Sequence, residues 1–99
     1  MAHIFKLLRA VEWAAFEASG EFAGSPDDLR DGYIHMSTAD QVEGTFVKYF
    51  AGEAGVVRVA LDPQALGEAL RWEPSRGGAL FPHLYRALRL DEVVAATPL

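Results

Sequence analysis

Two short segments carry most of the side chains able to move protons: Gly32-Tyr33-Ile34-His35-Met36-Ser37 and Phe81-Pro82-His83-Leu84-Tyr85. An imidazole can take or give a proton near neutral pH, and serine and tyrosine hydroxyls can position a polar ligand. In extended chain, successive side chains alternate between faces. Tyr33, His35 and Ser37 then share one face, and Phe81, His83 and Tyr85 share another. Between the two segments, Arg71-Trp72-Glu73 places a guanidinium and a carboxylate together and turns Trp72 inward. Gathered into one place, these groups make a polar pocket. His35, Glu73 and His83 are its candidate catalytic groups, and Ser37, Arg71 and Tyr85 its candidate ligand contacts.

Each residue also has a plainer use. His35 and His83 can bond backbone or join a structural network, and Ser37 can cap the helix that follows it. Glu73 can stabilise an oxocarbenium-like centre. It can equally pair with Arg71 or Arg76 at the surface, where such pairs contribute only about 0–1 kcal/mol. Arg71, Arg76 and Arg86 have the planar forks that meet a diphosphate. His35, His83 and Glu73 could also form a two-imidazole, one-carboxylate metal site, although no His-x-His or His-x-x-x-His spacing supports it. The chain has no Gly-x-Ser-x-Gly nucleophile turn, and Gly77-Gly78 lacks the pattern of a phosphate-binding loop, which leaves it a tight turn.

The 99 residues suit one domain, 1–99, and 51% hydrophobic content with 11% aromatic is enough for a core without staples. There is no cysteine, so disulfides, thiolate metal sites and cysteine nucleophiles are excluded. A net charge of −5 with scattered Lys and Arg disfavours nucleic acid as a partner. No run approaches the roughly 18 apolar residues of a membrane span, and the first residues lack a signal-peptide pattern. A cytoplasmic protein with a small-molecule ligand is the expectation; oligomeric state is open.

The elements that must position these groups are short. His3 to Leu8 reads as an opening strand, and Val11 to Ser19 as a helix stopped by Gly20. Ser25-Pro26-Asp27-Asp28 reads as a cap with a first-turn proline, opening one helical turn. Gly32 to Ser37 is predicted as one strand. Thr38 to Gln41 forms a capping box, opening a helix with Val42, Phe46, Tyr49 and Phe50 toward the core. Val56 to Leu61 alternates as a strand, Asp62-Pro63 starts a helical turn, and Leu70 to Glu73 is a short strand. Pro74 to Ala79 is a loop, and Leu88 to Thr97 supplies closing strand. Trp13, Phe46 and Trp72 are assigned to the core. The fold class is α+β, with small split sheets of short strands around one main and one minor helix.

Gly32 through Thr38 with Gln41, Arg71-Trp72-Glu73, and Phe81 through Tyr85 resemble the family catalogued as domain of unknown function 952. The resemblance runs over nearly the whole chain. It implies an ADP-ribosyltransferase-like fold, a split pair of small sheets clasping a nicotinamide dinucleotide, although fold alone does not fix function. By that analogy His35 with Ser37 holds the ribose-diphosphate side, Tyr85 stacks on the base, and Glu73 faces the anomeric carbon. The chain departs from the transferase plan because Tyr85 follows Glu73, and because Arg71 stands where a second Glu or Gln is usual. Three readings result: a cleft binding NAD or another nucleotide with glycosidic-bond chemistry, a non-catalytic small-molecule or protein interaction module, and a metal-dependent enzyme.

Overall fold

The computed structural model describes residues 2–99 apart from the side chain of Arg76, so the expectation for that side chain lies outside the described residues. Its first strand, β1 (Ile4–Leu8), takes an inner place in a four-stranded antiparallel sheet. It pairs along its whole length with β5 (Val57–Leu61), but with β4 (Ser37–Thr38) only at Ile4 and Phe5. The last strand, β9 (Val93–Pro98), lies on the far side of β5. Burial on both faces requires apolar residues of both parities. Ile4 and Leu8 join a cluster with Phe16, Ile34, Leu61, Leu84 and Leu88, while Leu7 joins a second with Val42, Phe50 and Val56.

A second sheet has the order β3-β7-β6, built from β3 (Ile34–His35), β7 (Leu80–Leu84) and β6 (Leu70–Pro74). A two-stranded ribbon pairs β2 (Glu21–Phe22) with β8 (Leu88–Arg89). The helices are α1 (Ala10–Ser19), α2 (Pro26–Asp31), α3 (Ala39–Tyr49) and α4 (Pro63–Leu66). At the start of α3 the Thr38 N–H donates to Gln41 Oε1 at 3.0 Å, and Gln41 Nε2 donates to the Leu80 carbonyl at 2.9 Å. One capping residue thus satisfies an orphan helix donor and ties α3 to the strand that carries His83.

The molecule is α+β, but it departs from expectation at several points. It has two helices of comparable length, 10 and 11 residues, and two short ones, rather than one main and one minor. The strand expected over Gly32 to Ser37 breaks at Met36, whose N–H donates to the Pro82 carbonyl at 3.0 Å. On either side of that residue β3 and β4 join different sheets, so strand alternation does not carry from His35 to Ser37. Trp72 is 45% exposed instead of inward, because β6 is a sheet edge and Trp72 lies opposite Pro82 there. Tyr49 is also exposed rather than core-facing. The closing segment divides into β8 and β9 around a 3₁₀ turn, Leu90–Glu92. No described helix is long and apolar enough to cross a membrane.

Candidate functional site

Because β4 stops after two residues, the side of β1 beyond Phe5 has no strand partner among the described residues. A cavity of about 260 Å³ is lined by residues of β1, α2, β3, β4, α3 and β7, among them Lys6, Asp28, His35, Ser37, Thr45 and His83. The split between the two larger sheets makes this space. It also brings the two histidine segments together, since His35 and His83 are directly opposed across the β3–β7 pairing. Their ring centroids lie 5.6 Å apart. Tyr33 covers both, with its ring centroid 4.1 Å from that of His83 and 4.6 Å from that of His35.

Each imidazole has its own carboxylate. His83 Nδ1 lies 2.8 Å from Glu73 Oε1, and the Tyr85 hydroxyl donates to the same oxygen at 2.7 Å. These two bonds, Tyr85 first, hold the Glu73 carboxyl below its usual range, and the Glu73 hydrogen bond raises Tyr85 in return. An ionised carboxylate only accepts, so Nδ1 of His83 carries the hydrogen. His35 Nδ1 lies 2.6 Å from Asp28 Oδ1, and its Nε2 lies 3.0 Å from Asp31 Oδ2. With both ring protons present, each nitrogen donates to a separate carboxylate. With one, the Nε2 lone pair faces Asp31.

Asp28, 2% exposed, figured in the sequence only as the end of the segment that opens α2. Its carboxylate accepts from the backbone N–H of Ser25 at 2.9 Å and of His35 at 3.1 Å, and meets the Lys6 ammonium at 2.9 Å. Burial alone would push its carboxyl up. The His35 hydrogen bond, the Lys6 charge and the Ser25 N–H together outweigh that and hold it well below the carboxylate range. Lys6 Nζ also donates to the His35 carbonyl at 3.0 Å. A signal was present in the sequence, because Ser25-x-x-Asp28 is a capping box, and Asp28 and Asp31 share a helix face at i,i+3 spacing. Gly24 allows the close approach: its φ is +132°, and a Cβ there would sit 2.8 Å from Asp28 Cβ.

The predicted residues fall into two groups. His35, Ser37 and His83 line the cavity, with Ser37 Oγ 2.9 Å from Thr45 Oγ1. Glu73, Tyr85 and Arg71 stand outside its lining, on the far side of His83, and the Arg71 guanidinium lies 4.9 Å above the Tyr85 ring. Arg86 belongs to neither group and pairs with Glu92 through two hydrogen bonds at 3.0 and 2.7 Å. Among the described residues no three His, Cys, Asp or Glu side chains are arranged to hold a metal ion. The three-ligand set His35, His83 and Glu73 is not assembled, since Glu73 is spent on His83 itself.

The chain belongs to the family described as Protein of unknown function (DUF952), which matches residues 7–96. No curated protein matches it. Among solved structures it is similar to the crystal structure of Protein CC0527 from Caulobacter crescentus, a Northeast Structural Genomics Consortium target. The two are 48% identical with a TM-score of 0.95, over 98% of this chain and 85% of that one. The solution NMR structure of CC0527 gives 48% identity and a TM-score of 0.89, over 100% and 85%.

Proposed function

We propose that this family member binds a small polar metabolite in the cavity and performs general acid–base chemistry on it, with His35 and His83 as the proton-handling groups. The reading rests on one relationship: two cross-strand imidazoles, each held at Nδ1 by its own carboxylate, at the wall of a single cavity. His83, bonded at Nδ1, presents Nε2 as a base. His35, held at Nδ1 by the buried Asp28, meets the partly exposed Asp31 at Nε2, and a ligand that displaces Asp31 there would receive its proton from that nitrogen. Asp28 and Glu73 fix tautomer and orientation, the part a buried aspartate plays in a catalytic triad. Ser37 and Thr45 offer hydroxyls for binding.

The cavity's volume lies just under the roughly 300–1,000 Å³ typical of ligand pockets, which favours one ring over a whole dinucleotide. NAD enters this proposal through the ADP-ribosyltransferase-like resemblance. His35 and Ser37, which that resemblance assigns to the ribose-diphosphate side, are on the lining, and the absence of Glu73 from it weighs against a carboxylate at the anomeric carbon. A binding module without turnover is the second reading, favoured by the Tyr33 ring lying across both imidazoles.

A thermal-shift panel of monosaccharides, nucleosides, NAD and ADP-ribose at millimolar concentration tests the proposal, since a ligand bound only to the folded chain must raise Tm. At least one compound is expected to stabilise the wild type and to lose its effect in His83→Gln. Silence across the panel, or a shift that survives His83→Gln and His35→Gln alike, overturns it.

A further inference from the structure

A second cavity, about 230 Å³, lies against the first and shares two lining residues with it, Asp28 and Tyr33. Its own lining is largely aliphatic and aromatic, with Ala23, Leu29, Ile34, Leu84 and Tyr85. Two of these are unusually open to water for their size: Leu29 is 64% exposed and Tyr85 42%. Of the shared residues, Asp28 is fixed by Lys6, His35 and Ser25. Tyr33 is half-buried and precedes the first residue of β3. It follows Gly32, whose φ of +88° closes α2 as its left-handed cap, with the Gly32 N–H donating to the Asp28 carbonyl at 2.8 Å. Its ring packs against both imidazoles and, 5.2 Å away, against the ring of Tyr85.

We infer that Tyr33 is the partition between the two cavities, and that the ligand is a polyhydroxylated ring carrying a planar aromatic group. The ring sits at the imidazole pair and the planar group on Leu29 and Tyr85. This rests on the cavity reading above and adds the ligand's second half. Neither space reaches the usual ligand-pocket range alone; joined, they do. The chemistry divides in the same way. Carboxylates, imidazoles and hydroxyls on the first lining give and accept hydrogen bonds as a polyol requires, whereas the second offers a flat apolar shelf. Burying that shelf under a planar group removes the exposed Leu29 and Tyr85 surface from water.

The test is an NMR titration of the full chain with adenosine and phenyl β-D-glucopyranoside as two-part probes, and ribose and glucose as free sugars. One of the two-part probes is expected to shift the Leu29 methyls and the His83 ring resonances along a single saturation curve. The ratio of its affinity to that of its free sugar should fall about tenfold in Leu29→Asp and in Tyr33→Trp, and rise in Tyr33→Ala. Leu29→Asp alters an exposed position, so it carries the test if a Tyr33 variant fails to fold. Shifts confined to one cavity, or an affinity ratio unchanged in Leu29→Asp and Tyr33→Trp, overturn the inference. If free sugars still bind and His83→Gln abolishes that binding, only the partition has fallen. If no probe of either kind binds the wild type, the inference falls together with the proposed site.

Discussion

Asp28 meets the Lys6 ammonium at 2.9 Å with both side chains shut away from water, and the same carboxylate holds His35 Nδ1 at 2.6 Å. A single buried anion therefore serves both the fold and the proposed chemistry. Removing one member of such a pair leaves the other charge buried and unmatched, which costs about 3–5 kcal/mol. Asp28→Ala is expected to lose stability in that range by urea denaturation. Asp28→Asn, which can still accept from a backbone N–H, should lose less. A cost below about 1 kcal/mol for the alanine variant would put the pair on the level of surface bridges and refute its structural weight.

The pH dependence of stability follows from the same carboxylate. Its pKa is depressed in the folded chain relative to an ordinary aspartate near 3.9. The stabilisation is then fully present above the unfolded value and is lost as pH falls through the folded one. Asp31 is lowered chiefly by its Arg30 hydrogen bond and Glu73 by Tyr85, so both add in the same direction. Stability should decline below about pH 4. The decline should be visibly shallower in Asp28→Asn, measured as the urea midpoint against pH. Parallel acid limbs in the two proteins would contradict the assignment.

Gly24→Ala tests the turn that brings Asp28 to His35. The native φ of +132° strains any side chain, and the new Cβ would fall 2.8 Å from Asp28 Cβ. A loss of about 1–3 kcal/mol is expected, the cost of holding a non-glycine residue in a sparsely populated backbone region. The same variant should perturb the His35 ring resonances. Wild-type stability with an unchanged His35 would show that the turn has slack.

Local rules made much of this fold legible. The Thr38–Gln41 box, the Ser25-Pro26 start of α2, the Gly20 stop and the alternation of Val57, Val59 and Leu61 each report on a few neighbouring residues, and each is found. The failures are cases where distant parts of the chain decide. Met36 bonds Pro82, 46 positions away, and so divides what alternation reads as one strand. Trp72 is apolar enough for a core, yet β6 gains a neighbour on one side only. Within the candidate site, the meeting of His35 with His83 was foreshadowed by the matching segments. The part played by Asp28 was hidden because its capping bond is local, while its bonds to Lys6 and His35 are tertiary.

Glu73 and His83 separate the two readings of the site. With Nδ1 of His83 donating to Glu73, the ring is locked in one tautomer and its Nε2 is left as the acceptor. Wild-type ring nitrogen shifts should report that single tautomer, and Glu73→Gln should show a mixture, because the amide no longer fixes which nitrogen keeps the hydrogen. Glu73 is outside the cavity lining, so the variant should leave ligand affinity almost unchanged, whereas His35→Ala weakens it. If the site turns substrate over, Glu73→Gln slows the reaction with binding retained, and His83→Gln costs about 10²–10⁴-fold, the usual share of a positioned acid or base. A module that only binds would show the affinity pattern with no turnover to lose. A wild-type spectrum with the hydrogen on Nε2 of His83 would remove the base from the proposed mechanism whatever the affinities prove to be.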